Sequence, residues 1–281
     1  MQPLASGRWL VSVLVVSLMI AAACVYATVC LLFYEGGWQI IFHPSRAVTV
    51  TPASAKIPFE DVQFDYTETG RAQLSGWWIP AEAHAPYANC TILLLHDGFG
   101  SLSDSLERIR ALHAIGTNVL VFDYRGFGRS VPAHPSEQGM NQDADAAWNY
   151  LTDMRNLPHG SIIFYGEGLG AAVAVSAALR HTDASALVIE DAGPTALERF
   201  STDARTKLLP VHWLTSDRFD PAAALEHLKR PKLFVERGND ARTEALYRTA
   251  EFPKRLVRVD PNGAGNYAEA MRAFLDDVIQ K

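Results

Sequence analysis

Cysteine is scarce in this chain, and its placement excludes a disulfide within the soluble part. The 281 residues contain three cysteines, of which Cys24 and Cys30 fall in an apolar N-terminal segment. Cys90 is therefore alone in the remainder, so cysteine usage does not identify the redox compartment. The histidines and cysteines also lack the close spacing of metal ligands, and we expect neither a metal nor a cofactor.

Dense runs of lysine and arginine are missing as well. The formal net charge is −6 and the pI is about 5.8, which argues against a phosphate-binding surface and excludes nucleic acid as a partner. Apolar residues, in contrast, make up 48% of the chain and charged residues 20%, so the chain is not disordered. The length fits one compact domain with a short appendage.

Charge is absent altogether from residues 9–34. These 26 residues would reach about 39 Å as a helix, which exceeds the ~30 Å hydrocarbon core of a bilayer. Trp9 lies at one end and Phe33, Tyr34 and Trp38 lie at the other, as in interfacial aromatic belts. The segment therefore predicts one transmembrane anchor over residues 9–34, preceded by a tail of residues 1–8.

Other interpretations of this segment fit less well. A cleavable signal peptide has an apolar region of only about 7–15 residues. Ala21-Ala22-Ala23-Cys24 suggests a lipid-attachment site, but apolar sequence continues for ten residues past Cys24. A core helix would carry a polar face, which this run lacks. Arg8 and the amino terminus on one side, with Glu35 on the other, predict a cytoplasmic N-terminus and a domain outside.

Residues 35–58 contain three prolines and predict an extended connector, after which strand and helix patterns alternate over residues 59–281. The first two strand patterns alternate apolar and polar residues, as half-exposed antiparallel edge strands do, and the later ones are continuously apolar. This order predicts an α/β domain with a doubly wound, mostly parallel sheet, and residues 192–220 predict a small cap. The predicted strands are 62–66, 74–79, 91–96, 119–123, 161–165, 186–190, 232–236 and 256–259.

Turn motifs follow five of these strands, at the edge where open parallel sheets bind ligands. Residues 96–100 read His-Asp-Gly-Phe-Gly, and residues 123–130 read Asp-Tyr-Arg-Gly-Phe-Gly-Arg-Ser. Residues 166–170 read Gly-Glu-Gly-Leu-Gly and precede an alanine-rich helix. The last two strands are followed by Gly-Asn-Asp at 238–240 and by Gly-Ala-Gly-Asn at 263–266.

These motifs resemble those of the α/β-hydrolase superfamily, in particular its membrane-anchored lipase-like and esterase-like members. The turn at 166–170 is similar to the nucleophile elbow G-x-S-x-G, with Gly168 at the serine position. The resemblance covers about residues 59–281 and implies the α/β-hydrolase fold. The elbow spacing predicts a positive φ at Gly168, where glycine avoids roughly 1–3 kcal/mol of backbone strain.

In that family a serine attacks an acyl carbon, a histidine takes its proton, and an acid orients the histidine. The resemblance assigns these roles by position to Gly168, Asn266 and Asp240. Glycine has no side chain with which to attack, and the asparagine amide is not a base near neutral pH. No histidine follows His227 in the sequence, so only Asp240 is retained of the three.

The resemblance assigns further residues around these positions. Asp97 would put a carboxylate where an oxyanion develops, unless its side chain turns away. We expect His96 to hold its loop by hydrogen bonds, and we expect Glu167, which precedes the elbow's centre, to point away from the pocket. The implied oxyanion-hole positions are Gly98, Phe99 and Leu169. The implied motif-loop residues are His96, Asp97, Asp123 and Arg125.

Three functions remain open on these observations. The first is a catalytically inactive, membrane-tethered module that binds or scaffolds a protein partner. The second is a hydrolase that cuts esters or peptides through a rearranged site, with Asp97, Asp240, His96 or another histidine. The third is a binder of small lipophilic molecules. A filled pocket above Gly168 favours scaffolding, and an open apolar pocket favours ligand binding.

The charge-free segment of residues 9–34 is predicted to hold the protein in the membrane. Because residues 9–34 are long and free of charge, we expect the protein to remain membrane-bound and to keep its N-terminal segment. N-terminal sequencing and carbonate extraction of the expressed protein check this expectation. A mature soluble form that begins after Ala23 would refute it.

Overall fold

The computed structural model describes residues 7–65, 73–238, 241–259 and 265–279 of the chain, and most of the predicted tail of residues 1–8 lies outside these residues. Helix α1 (Gly7–Gly36) contains the charge-free segment. The helix is long and apolar enough to cross a membrane by length and composition, and its apolar window has no buried residue. An exposed apolar surface of this size marks a site of contact with a membrane or with another protein.

Residues 35–58, predicted as an extended connector, are tied into the domain instead. A short helix, α2 (Trp38–Ile41), follows α1 after one residue, and both Ile41 and Phe42 are fully buried. Phe33, still within α1, is buried as well, and its ring lies 5.2 Å from that of Phe200. The hydrophobic effect holds this segment against the domain, because burying each large apolar side chain contributes about 1.5–3 kcal/mol.

The described residues form ten strands in two sheets. The large sheet has the order β10-β9-β8-β7-β4-β6-β3-β2, and β1 pairs with β5 in a separate two-stranded sheet. The strands are β1 (His43–Pro44), β2 (Glu60–Phe64), β3 (Leu74–Ile79), β4 (Thr91–Leu95), β5 (Phe99–Gly100), β6 (Asn118–Asp123), β7 (Ile162–Glu167), β8 (Ala186–Glu190), β9 (Lys232–Arg237) and β10 (Lys254–Val259). Pairing is parallel from β10 to β6 and antiparallel at β6–β3 and β3–β2. The prediction of a mostly parallel, doubly wound sheet is confirmed.

Helices cover both faces of the large sheet. Along β4, Ile92 and Leu94 join one apolar core, while Leu93 and Leu95 join the other. This explains why the strand is continuously apolar, since side chains alternate between two covered faces. The remaining helices are α3 (Leu106–Ile115), α4 (Glu137–Asn149), α5 (Gly170–Arg180), α6 (Ala196–Thr202), α7 (Val211–Leu214), α8 (Ala222–Leu225), α9 (Ala241–Thr249) and α10 (Gly265–Ile279).

Strand β3 differs from the prediction of a half-exposed edge. The residues of β3 are buried except for Ser75, which is half-buried, whereas β2 alternates exposed and buried positions as expected. β3 lies between β2 and β6, and Trp77 and Trp78 pack into the cores on opposite faces. Position within the sheet, rather than the polarity pattern, sets the burial of this strand.

Helix α5 lies close to the end of β4 because Gly170 has no side chain. A Cβ atom at Gly170 would lie 2.0 Å from the Leu95 carbonyl oxygen and 2.6 Å from that of His96. At Gly166 it would lie 2.4 Å from the Gly170 carbonyl oxygen. These neighbours are backbone atoms, so relief would require a shift of the helix.

We therefore expect Gly170→Ala to lower the free energy of unfolding by about 1–3 kcal/mol, the usual cost of overpacking. Gly160→Ala is the matched control, because a Cβ atom at Gly160 meets nothing within 4 Å. Thermal or urea unfolding of the two variants in detergent measures the difference. Equal stability of both variants would contradict the close-packing argument.

Candidate functional site

The turn between β7 and α5 forms the centre of the site. Gly168 has φ +59°, the left-handed region predicted from the sequence spacing. Its N–H donates to the Glu190 carbonyl oxygen at 3.2 Å, and its own carbonyl oxygen accepts from Gly193 N–H at 3.0 Å. A side chain at this position would therefore be strained by the backbone itself.

The carboxylate of Asp97 fills the space above Gly168. The backbone N–H groups of Gly98 and Leu169 both donate to its Oδ1 atom, each at 2.7 Å. A Cβ atom at Gly168 would lie 2.2 Å from Asp97 Cγ. One carboxylate thus takes the two converging donors and also the volume that a side chain at position 168 would need.

The position of this carboxylate is electrostatically favourable. Leu169 is the residue before the first turn of α5, so the negative charge lies at the positive end of an 11-residue helix. Such placement typically contributes 0.3–1 kcal/mol. Charge-assisted hydrogen bonds to backbone N–H groups add to this stabilisation.

Phe99, the third predicted oxyanion-hole position, takes a different role. It lies in β5 and pairs with His43 of β1, and the two rings stack with centroids 4.9 Å apart. The structure therefore brings Asp97, Gly98, Gly168 and Leu169 together and uses Phe99 to attach residues 43–44 to the site loop.

Asn266, the position assigned to the base, does not complete this arrangement. Asn266 lies in the first turn of α10, is exposed, and donates from Nδ2 to the Arg258 carbonyl oxygen at 2.7 Å. Asp240 lies outside the described residues. The Asn266 amide is therefore engaged with β10, and it offers no basic nitrogen in any case.

His96 is buried at the base of the loop. Its Nδ1 atom donates to the Asp97 carbonyl oxygen at 2.7 Å, and its ring packs against Tyr124 and Phe127. Burial lowers the pKa of His96, and the nearby Asp123 opposes that shift. These contacts orient the loop that carries Asp97.

The loop of residues 123–130 is held by its own charged side chains. Asp123 accepts hydrogen bonds from the backbone N–H groups of Leu102 at 2.8 Å and Arg129 at 3.2 Å. Arg125 donates from Nε and Nη2 to Asp143 Oδ1 at 2.9 and 2.6 Å, and its backbone N–H donates to Oδ2. These bonds tie the loop to the backbone at Leu102 and to its supporting helix α4.

A buried charged cluster, which the sequence did not reveal, lies at the same edge of the sheet. Glu190 at the end of β8 is fully buried and pairs with Arg108 of α3 and Arg237 of β9. Tyr165 donates to its Oε2 atom at 2.6 Å and lies 3.1 Å from the hydroxyl of Tyr267. Burial raises the pKa of Glu190 to about 8, and Arg108 opposes the rise. A glutamate that ends an apolar strand was the available signal.

A cavity of about 380 Å³ opens beside Asp97. Phe99 supplies its one apolar side chain, so the lining does not match the apolar pockets of lipophilic ligands. Glu167 also lines this cavity, and burial raises its pKa. The other lining residues are His96, Asp97, Gly100, Ser101, Asp104 and Ser105. Within the described residues, no group of three or more potential ligands is placed to hold a metal ion.

No sequence motif indicated that Arg199 of α6 lies near the site. Its guanidinium carbon lies 4.9 Å from the centroid of the Phe99 ring, in a cation–π arrangement. Burial lowers the pKa of Arg199, and the Asp97 carboxylate opposes the shift. Residues 192–220, predicted as a cap, thus place a cation near the carboxylate.

Known proteins resemble this chain over most of its length. The family model of serine aminopeptidases (S33) matches residues 88–221. An uncharacterized protein of Mycobacterium tuberculosis is 33% identical over 248 residues, which cover 85% of each chain. The alpha/beta hydrolase domain-containing protein WAV2 of Arabidopsis thaliana is 26% identical over 76% of this chain and 72% of that protein.

Solved structures show the same architecture. An esterase from Pyrococcus furiosus matches with a TM-score of 0.66 and 21% identity, over 84% of this chain and 99% of that one. An alpha-beta hydrolase from Vibrio vulnificus matches with a TM-score of 0.61 and 19% identity, over 81% and 82% of the two chains. At these identities the likeness establishes the fold.

The overlap between Asp97 and position 168 predicts energetic coupling. Gly168→Ala should destabilise the protein through backbone strain and through collision with the carboxylate. In an Asp97→Gly background only the strain remains, so the cost should fall by about 0.5–3 kcal/mol, the usual range for residues in contact. Urea unfolding of the four proteins in this cycle measures the coupling.

Asp97→Asn is the control for volume, because it removes the charge and keeps the shape. In that background Gly168→Ala should remain nearly as costly as in the unmodified protein. Additive effects of Gly168→Ala and Asp97→Gly would show that the carboxylate does not occupy the space above Gly168.

Proposed function

The chain belongs to the α/β-hydrolase superfamily, and we propose that it is a membrane-anchored pseudohydrolase that binds or scaffolds a partner instead of cleaving acyl groups. The observation that carries the proposal is the Asp97 carboxylate, which accepts from Gly98 and Leu169 above Gly168. In this superfamily those donors face the oxyanion of an acyl-transfer intermediate.

Three requirements of serine hydrolysis are unmet in this arrangement: the nucleophile, the base and a free pair of oxyanion donors. Gly168 supplies no hydroxyl, and Asn266 supplies no base. Removing a single oxyanion-hole donor typically lowers kcat by about 10²–10³, and here both donors have an internal acceptor. A second negative charge on the same donors would also be repelled by Asp97. The losses reinforce one another, because triad and oxyanion groups act as a unit.

The membrane attachment forms part of the same proposal. Helix α1 is charge-free over residues 9–34 and exposes its apolar side chains along the stretch that would lie in the bilayer. The proposed topology is a single pass, with the N-terminus cytoplasmic and the domain outside. A protein partner is favoured over a lipophilic ligand, since polar side chains line the cavity beside Asp97.

One observation supports a second candidate, a hydrolase with a rearranged site. Glu167 and Asp97 line the same cavity, and burial together with the charge of Asp97 raises the pKa of Glu167. Two neighbouring carboxyl groups in different environments are the pairing that general acid–base hydrolysis uses. In this candidate Glu167→Gln and Asp97→Asn would each abolish turnover.

We predict that the unmodified protein does not react with a fluorophosphonate probe and does not turn over p-nitrophenyl esters. Gly168→Ser alone should not restore either activity, because the new hydroxyl lacks a base and overlaps Asp97. It should also lower the free energy of unfolding by at least roughly 1–3 kcal/mol through backbone strain. Probe labelling on gels, ester assays and unfolding curves measure these outcomes.

The triple variant Gly168→Ser, Asn266→His, Asp97→Gly tests whether restoring the catalytic groups restores activity. It supplies a nucleophile, a base and a free pair of oxyanion donors. The double variant that retains Asp97 is its matched control and should react more weakly. Ester turnover by the unmodified protein that disappears in Glu167→Gln would favour the second candidate. Ready labelling of Gly168→Ser alone would show that a base lies elsewhere.

A further inference from the structure

The cap and the anchor helix are in direct contact. The Phe33 ring near the end of α1 packs edge-on against Phe200 of α6. About two turns earlier in the helix, the Tyr26 hydroxyl donates to the Leu208 carbonyl oxygen at 3.0 Å. The segment of residues 204–214, which we call the cap edge, is therefore fixed beside α1.

The length of α1 places the cap edge at a defined depth. Tyr26 follows Arg8 by 18 residues, which corresponds to about 27 Å along a helix. This is close to the ~30 Å thickness of the hydrocarbon core. If α1 crosses the membrane from Arg8, Tyr26 and the adjacent Leu208 reach its far boundary. Beyond that point Leu31, Leu32 and Tyr34 of α1 remain exposed.

The composition of the cap edge suits this boundary. Leu208 is 86% exposed and Trp213 is 81% exposed, which are high values for large apolar side chains. Tryptophan is enriched at membrane interfaces, where its ring bridges the apolar and the hydrated layers. The exposed apolar side chains of the cap edge therefore continue the apolar surface of α1.

The charges of the cap edge have one sign. Residues 204–214 include Arg205, Lys207 and His212 and contain no aspartate or glutamate. Arg205 pairs with Asp203 just outside the segment, while Lys207 is exposed. A basic side chain near an anionic bilayer surface contributes about 1 kcal/mol to membrane attraction. Long basic side chains also reach phosphates while their methylene groups remain in the apolar layer.

We propose that the cap edge inserts into the interface of the bilayer that α1 spans, with Leu208 and Trp213 at the acyl boundary and Lys207 and Arg205 at anionic lipid headgroups. The proposal rests on the proposed membrane anchoring of α1. The cap, which also carries Arg199 near Asp97, is then supported by the bilayer on one side and by the domain on the other.

The test uses the full chain in vesicles of phosphatidylcholine and phosphatidylglycerol, with Cys24, Cys30 and Cys90 replaced by alanine. A single environment-sensitive fluorophore is attached at Trp213→Cys. The matched control is Met154→Cys, because Met154 is 66% exposed and precedes β7, at the opposite edge of the sheet from the cap. Lipids with a nitroxide near the headgroup serve as quenchers.

At position 213 we expect a blue-shifted emission and quenching by the nitroxide lipids, and at position 154 neither effect. Adding Arg205→Glu and Lys207→Glu should reduce the quenching at 213 in anionic vesicles but not in pure phosphatidylcholine. Carbonate extraction of the same samples reports on the anchor separately. If the protein stays in the membrane after carbonate extraction but position 213 is as water-exposed as position 154, the cap-edge proposal is overturned. The proposed anchor would then still stand. Protein released by carbonate overturns both.

Discussion

The site depends on how two backbone N–H groups at the edge of the sheet find an acceptor. A buried donor without a partner costs about 1–3 kcal/mol, and Gly98 and Leu169 present two such donors to one point. Asp97 supplies the acceptor from within the chain. It fits only because Gly168 has no side chain, so the missing side chain at position 168 and the occupation of both donors by Asp97 are one physical arrangement.

The surrounding structure stabilises this arrangement. Gly166 and Gly170 let α5 approach β4, and the positive φ of Gly168 completes the turn. The buried Glu190 cluster ties several strands and helices together at the same edge. Removing one member of such a buried pair is strongly destabilising, so the cluster has a structural role of its own.

Helix α1 and the domain are also packed together rather than joined by an extended spacer. Phe33, Ile41 and Phe42 continue the apolar character of α1 into the core of the domain. Residues 43–44 then pair with Phe99–Gly100, next to the loop that carries Asp97. The orientation of the site relative to α1 is therefore set by packing, and this is why the cap edge has a defined position beside the helix.

The sequence by itself determined the features that depend on neighbours along the chain. These are the charge-free helix, the alternation of strands and helices, and the turn at Gly168. The sequence also showed that position 168 is not serine and that no histidine follows His227. Periodicity and turn chemistry are local, so they can be read in one dimension. The tertiary structure decided how Asp97 turns, that Glu167 lines the cavity, that β3 is interior and that Arg199 approaches Phe99. Each of these depends on contacts between residues distant in the chain, and no local pattern encodes them.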